Sequence, residues 1–282
     1  MNKRFSQGLA FFLASLLVFS LLFYFLIPAK DPAVKHLGHR SSVKKSRAFN
    51  YVAIGDSLTE GVGDTTEQGG FIPLLSQELQ TSYRYEVSSN NYGVSGNTSQ
   101  QILTRMSQGK KIQKSLTNAN LMTLTVGGND VLAVIRKDLA NLKVSSFTKP
   151  AKLYQKNLRK IIELARQNNK HLPIYVVGIY NPYYLNFPDL TQMQDIIDNW
   201  NEGTQKVTTE YRNVYFVPIN DLLYKGLDNN QAAVEASDSD DSSKVTNNVL
   251  SDGDRFHPNN IGYQIMSKAV MEKISETKKN WN

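Results

Sequence analysis

Five short apolar runs punctuate the chain beyond residue 48: Tyr51–Ile54, Tyr85–Val87 (with a polar continuation toward Asn91), Leu121–Val126, Ile174–Ile179 and Val214–Ile219. Each has the length and β-branched or aromatic content of a strand. Several are apolar at successive positions rather than alternate ones, which predicts a parallel sheet covered on both faces. Longer segments separate them, with helices predicted at Phe71–Leu79, Ser99–Met106, Lys149–Asn168, Leu190–Tyr211 and Asn260–Ser275. Within the third, Leu153, Leu158, Ile161, Ile162 and Ala165 recur at helical spacing and make one apolar face. Strands alternating with helices predict an α/β fold, a single three-layer α/β/α domain with right-handed crossovers over residues 49–282.

Two stretches break this rhythm. The segment 225–253 carries Ala236-Ser237-Asp238-Ser239-Asp240-Asp241-Ser242-Ser243 without apolar periodicity. Asp238, Asp240 and Asp241 lack the central glycine and distal glutamate of an EF-hand loop, so a solvated loop, placed to act as a lid over Asn229–Val249, is the expectation. At the other end, Gly8–Ile27 is an uncharged run of Leu, Phe, Ala and Val. Twenty such residues are long enough to span a ~30 Å hydrocarbon core, and longer than the ~7–15-residue apolar region of a cleaved signal peptide. An uncleaved transmembrane anchor over residues 1–27 is expected, followed by a basic flexible tether, 28–48.

The formal charge of +7 changes meaning once located. Residues 1–48 hold eight Lys and Arg against the single acid Asp31, and the remaining basic and acidic side chains balance. The globular part is neutral, so nucleic acid is not an expected partner. Six of those cations follow the apolar run and two precede it, which by the positive-inside rule alone would keep the domain in the cytoplasm. A short basic tail ahead of a first helix is the habit of signal anchors, and the domain is expected outside. Cysteine is absent, which excludes disulfides, thiolate catalysis and cysteine-ligated zinc.

The candidate chemistry begins where the first strand stops, at Gly55-Asp56-Ser57-Leu58. Ligands of open α/β sheets bind at the carboxyl ends of strands, so Ser57 is either a turn or cap residue or a nucleophile. A nucleophile needs a base. Of four histidines, His36 and His39 lie in the tether and His171 in a polar turn, while His257 alone follows a carboxylate, Asp254, by three residues. Asp-x-x-His could orient an imidazole, or be an ordinary loop or half a metal site. Two glycine-containing loops follow strands, Asn91-Tyr92-Gly93-Val94-Ser95-Gly96-Asn97-Thr98 and Gly127-Gly128-Asn129-Asp130. They read as oxyanion donors or as turn chemistry, with Asn129 capping a helix that starts near Val131.

Taken in order, Gly-Asp-Ser-Leu, Gly96, Gly-Gly-Asn-Asp and Asp-x-x-His resemble the SGNH/GDSL hydrolase family over residues 51–275. The resemblance implies a flavodoxin-like fold with a parallel five-stranded sheet, and hydrolysis of carboxylic esters without metal or organic cofactor. It implies Ser57 as nucleophile, His257 as base and Asp254 as its carboxylate. It also implies the Ser57 and Gly96 N–H groups and the Asn129 amide as the oxyanion hole. The substrate is expected to be an ester of a lipid or an acylated glycan, with the membrane as the second partner through the amino-terminal helix. Tyr180, Pro182, Tyr183, Tyr184, Phe187 and Pro188 follow a strand and either line a pocket or form a structural aromatic loop.

Overall fold

The computed structural model describes residues 12–19, 46–137, 143–185, 191–227 and 247–281. The chain divides into two units, Met1–Lys45 and Ser46–Asn282. In the first, residues 12–19 are helical. The rest of the apolar run 8–27, the tether through residue 45, His36 and His39 lie outside the described residues. Among the described residues no helix is long and apolar enough to cross a membrane.

The second unit is built on a five-stranded, all-parallel sheet. Its strands are β1 (Arg47–Gly55), β2 (Tyr85–Gly93), β3 (Leu121–Thr125), β4 (Ile174–Val177) and β5 (Val214–Val217), in the spatial order β2-β1-β3-β4-β5. The helices between them are α1 (Ser57–Glu60), α2 (Phe71–Tyr83), α3 (Ser99–Gln108), α4 (Lys110–Thr117), α5 (Gly128–Lys137) and α6 (Thr148–Ala165). Then come α7 (Thr191–Thr209), α8 (Asn220–Leu223) and α9 (Asn260–Thr277).

Successive strand residues point to opposite faces, and both faces are covered. Val52, Ile54, Met122, Leu124, Ile174 and Val176 pack on one side with residues of α3, α4, α6 and α7. Tyr51, Ala53, Leu121, Tyr175 and Val177 pack on the other with α2 and α9. This two-sided burial is why the sequence reads as unbroken apolar runs in the central strands.

Three expectations are corrected. The domain starts at Ser46 rather than residue 49, and β1 starts at Arg47, because Arg47 to Gly55 pair residue by residue with Tyr85 to Gly93. Backbone pairing, not apolar side chains, extends both strands, which is also why the polar β2 runs past Asn91. Helix α4 was not foreseen, since only Ile112 and Leu116 are buried along it. Finally, the segment 225–253 is not a solvated loop to its end: Val249 and Leu250 are core residues, and Leu250 bridges to Pro258. Residues 228–246, including Asp238, Asp240 and Asp241, lie outside the described residues.

Chain order and spatial order diverge at β1, which has β2 on one side and β3 on the other. This is the switch point where loops at the carboxyl edge separate and leave a crevice. The segments that follow β1, β2 and β3 carry Ser57, Gly96 and Asn129, the first and last of them at helix starts.

Candidate active site

Ser57 is set by the abrupt end of β1. A Cβ on Gly55 would meet Thr125 Oγ1 at 2.2 Å, so only glycine lets β1 and β3 close up there. Asp56 then caps α1, its Oδ1 accepting from Leu58 N–H (3.1 Å) and Thr125 Oγ1–H (2.7 Å). Burial pushes the Asp56 carboxyl up, against the hydrogen bonds from Thr125 and Leu58 that pull it down. As the first residue of α1, Ser57 keeps an N–H with no partner among the described residues.

His257 arrives from the far end of the chain. Its Nε2 lies 2.9 Å from Ser57 Oγ, and its Nδ1 lies 2.5 Å from Asp254 Oδ2. A carboxylate only accepts, so Nδ1 carries the proton and Nε2 is free to accept from the Ser57 hydroxyl. The other oxygen, Asp254 Oδ1, accepts from Phe256 N–H and His257 N–H, both at 3.0 Å. One carboxylate thus shapes the turn and orients the ring. Partial burial works to raise its pKa, but the bonds from the His257 ring and from the His257 and Phe256 N–H groups outweigh that. The group is held below its ordinary value.

The histidine turn is fastened on all sides. Ser251 N–H donates to His257 O (2.8 Å), and Tyr180 Oη–H donates to Phe256 O (2.5 Å). Behind it stands the loop after α1. A Cβ on Gly63 would lie 2.5 Å from Pro258 O and 3.2 Å from His257 Cβ, so the two backbones touch. Thr65 N–H donates to Asn260 Oδ1 (3.0 Å), and Asn260 Nδ2–H donates to Thr65 Oγ1 (2.8 Å). Asp64 holds this loop in shape. Its Oδ1 accepts from Thr66 N–H and Oγ1–H, and its Oδ2 from the N–H groups of Gln68, Gly69 and Gly70.

On the opposite side of Ser57, the two glycines of the second loop separate cleanly. Gly93 ends β2, and a Cβ there would lie 2.1 Å from Glu60 N, so Gly93 serves close packing. Gly96 sits at φ +77° with nothing within 4 Å of a Cβ position, and its N–H has no partner among the described residues. Its neighbours are tied down: Val94 N–H donates to Gly55 O (3.1 Å) and Ser95 N–H to the Glu60 carboxylate. Asn129 lies inside the first turn of α5 instead of capping it. Its Nδ2 donates one hydrogen to Asn97 O (3.1 Å) and keeps a second. Ser57 and Asn129 line one small cavity together with Asp56, Gly128, Tyr180 and Phe256.

The structure therefore brings Ser57, His257 and Asp254 into one hydrogen-bonded chain and sets Asn129 in the same cavity as Ser57, with the Asn129 amide bonded to Asn97, the neighbour of Gly96. His171 is elsewhere, near Arg47 and Trp281 at the other edge of the sheet. Among the described residues no cluster of His, Asp or Glu is fit to hold a metal. Tyr180 and Pro182 line the cavity; Tyr184 instead meets the Tyr224 ring, edge-on at 4.7 Å. Phe187 and Pro188 lie outside the described residues.

Supporting residues escaped the sequence reading. Arg105 of α3 joins three backbone regions, donating to Asn97 Oδ1 (2.7 Å), Gly55 O (3.0 Å) and Tyr92 O (3.2 Å). Asp130 accepts from Ser99 N–H (2.8 Å) and Oγ–H (2.5 Å), locking α5 to the start of α3. Asp130 stood within Gly-Gly-Asn-Asp, but Arg105 and Asp64 have no local sequence signal.

The chain is similar to known proteins over most of its length. The model of the GDSL-like lipase/acylhydrolase family matches residues 53–265. The chain is 30% identical over 243 residues to the uncharacterized protein YpmR of Bacillus subtilis (strain 168), covering 86% of this chain and 87% of that protein. It is 24% identical over 228 residues to the spore germination lipase LipC of Bacillus licheniformis, covering 79% and 94%. Its fold is similar to the lipase Lip_vut3 from a goat rumen metagenome, with a TM-score of 0.65, 23% identity and coverage of 79% and 96%. It is also similar to a catalytic mutant of Axe2, an acetylxylan esterase from Geobacillus stearothermophilus, with a TM-score of 0.56, 21% identity and coverage of 81% and 95%.

The Asp64 loop yields a pH-dependent expectation. Partial burial acts to raise the Asp64 pKa, but bonds from the Thr66 side chain and the Gly70, Thr66 and Gln68 N–H groups outweigh it, and the group is held below its ordinary value. Its stabilisation is then complete above the unfolded value of about 3.9 and is lost as pH falls through the lower folded value. Asp64→Ala should cost about 2 kcal/mol at neutral pH. Urea denaturation from pH 7 downward should show the gap to wild type closing below about pH 4. A gap independent of pH would mean that the carboxylate charge contributes nothing.

Proposed function

The chain belongs to the GDSL-like lipase/acylhydrolase family and is an ester-hydrolysing enzyme, and we propose that it works through an acyl-enzyme on Ser57. The observation that carries this reading is the unbroken chain Ser57 Oγ, His257 Nε2, His257 Nδ1, Asp254 Oδ2, with gaps of 2.9 and 2.5 Å. As Ser57 Oγ attacks the acyl carbon, its proton passes to His257 Nε2 and the carbonyl electron pair moves onto oxygen. Asp254 stabilises the resulting imidazolium and keeps it aimed. The oxyanion is met by the Ser57 and Gly96 N–H groups and the second hydrogen of Asn129 Nδ2. Collapse breaks the bond to the alkoxide, which leaves with the proton from Nε2. Water then repeats both steps on the acyl-enzyme and frees the acid.

The donors suit this role because they are already held. Asn97 and Arg105 fix the Gly96 loop and the Asn129 amide before any substrate arrives, so little reorganisation accompanies charge development.

The reading extends to location: the domain is held at a membrane by the run 8–27 and stands outside it. Support comes from twenty successive uncharged, mostly apolar residues, which at ~1.5 Å rise would make a helix of ~30 Å. The short basic tail Lys3-Arg4 precedes them.

Three measurements test these proposals. Ser57→Ala should abolish ester turnover and covalent labelling by a fluorophosphonate while thermal unfolding stays as in wild type. Labelling that persisted in the variant would place the nucleophile elsewhere. Asn129→Ala should lower kcat by roughly 10²–10³ with little change in KM, since its free hydrogen meets charge that exists only in the transition state. A change confined to KM would make it a ground-state contact. For the anchor, alkaline extraction should leave the full chain in the membrane fraction, and protease added to intact cells should remove the domain. Release into the soluble fraction would refute the anchor, and protection from protease would refute the orientation.

A further inference from the structure

The cavity beside Ser57 has a definite size, and its walls are held by hydrogen bonds rather than by packing alone. Its apolar lining is Leu58, Val126, Ile179, Tyr180, Pro182 and Phe256. Leu58, Val126, Ile179 and Tyr180 are all buried. The space it leaves is small, about 40 Å³ for the centres of water-sized groups, which suits a short chain of atoms.

The walls resist expansion. Ile179 is clamped by one side chain from both directions, its N–H donating to Asn201 Oδ1 (2.9 Å) and its carbonyl accepting from Asn201 Nδ2 (2.8 Å). Gly178 N–H donates to Val217 O (2.9 Å), extending the sheet ladder past the end of β4. Asn181 N–H donates to Asn220 Oδ1 (3.0 Å). The Tyr180 hydroxyl closes the ring by donating to Phe256 O, one residue before His257. Widening the cavity would therefore break several buried or half-buried hydrogen bonds, each left unmade at a cost, and would shift the backbone that carries the base.

The two halves of an ester make different demands on such a space. The alcohol must depart to water once the acyl-enzyme forms, whereas the acyl group stays on Ser57 until hydrolysis. An apolar recess lined by the buried Val126 and Ile179 suits the half that stays. Resting on the acyl-enzyme reading above, we propose that this recess is the acyl subsite and that it restricts the enzyme to short acyl groups. Acetyl places one carbon beyond the carbonyl and butyryl three, and the seven of an eight-carbon acyl group exceed the recess. Ile179 and Tyr180 are then the specificity-determining residues, acting as walls of the recess. Long-chain fatty acyl esters are excluded, whatever alcohol carries them.

The test uses the full chain and p-nitrophenyl esters of two, four, six and eight carbons, with each preparation titrated by fluorophosphonate labelling of Ser57. The expected kcat/KM at two carbons exceeds that at eight by at least ~100-fold, since each methylene misfit in an apolar pocket costs about 10-fold or more. Ile179→Ala and Tyr180→Ala should each raise the eight-to-two-carbon ratio at least ~10-fold; the first touches no group bonded to the histidine turn and serves if the second fails to fold. A fully labelled wild type whose kcat/KM is flat or rises with chain length overturns the acyl limit while leaving the acyl-enzyme intact. Truncations that leave the ratio unchanged overturn the two wall assignments. A wild type that hydrolyses esters without labelling at Ser57 removes the acyl-enzyme reading, and this inference with it.

Discussion

A single carboxylate, Asp254, carries more of this site than any other group. Its two oxygens face different tasks: one accepts two backbone N–H groups and bends the chain into a turn, the other accepts the imidazole N–H at the end of that turn. The reach of the base to Ser57 and the tautomer it presents both follow from that division. The hydrogen bonds that hold Asp254 ionised are the same ones that shape the turn. Charge, backbone geometry and ring orientation are thus coupled through three contacts spanning four residues.

Because the turn is short and partly exposed, its position has to be supplied from outside. Val249 and Leu250 anchor its entry in the core, the Asn259 side chain caps α9 at its exit, and the Gly61–Gly70 loop backs it through the reciprocal Thr65 and Asn260 contacts. Tyr180 reaches across from the loop after β4 to hold Phe256. The histidine is therefore tied to three parts of the sheet's carboxyl edge. Its distance from Ser57 depends on the packing of the whole edge.

The donor side is organised on the same plan with a different anchor. Arg105 runs from α3 to the end of β1, the end of β2 and Asn97, so the loops after two adjacent strands are set by one guanidinium. Burial lowers the Arg105 pKa, and three oxygen acceptors compensate its desolvation. Beside it, the half-buried Asp130 draws α3 and α5 together. These groups touch no reacting atom in the proposed chemistry, yet they determine where an oxyanion would be met.

By itself, the sequence determined the class of fold and the short list of chemical groups. Unbroken apolar runs in strands buried on both faces identify a covered parallel sheet, because no other element needs apolar residues at every position over so short a length. The break at Gly55-Asp56-Ser57, the glycine-containing loop 91–98 and Asp254-x-x-His257 are local patterns whose meaning lies within a few residues, and so they are legible. Strand edges were less so: β1 begins at Arg47 and β2 runs to Gly93 because their backbones pair, and pairing leaves no trace in polar side chains. Only the tertiary structure decided which glycine leaves its N–H open, that Asn129 leans on Asn97 rather than capping α5, and that Arg105, Asp64 and Tyr180 support the site. Each of those roles is a contact between residues distant in the chain or a matter of a few tenths of an ångström. Neither is encoded in spacing along the sequence; both arise only when the loops of different strands meet at the carboxyl edge of the sheet.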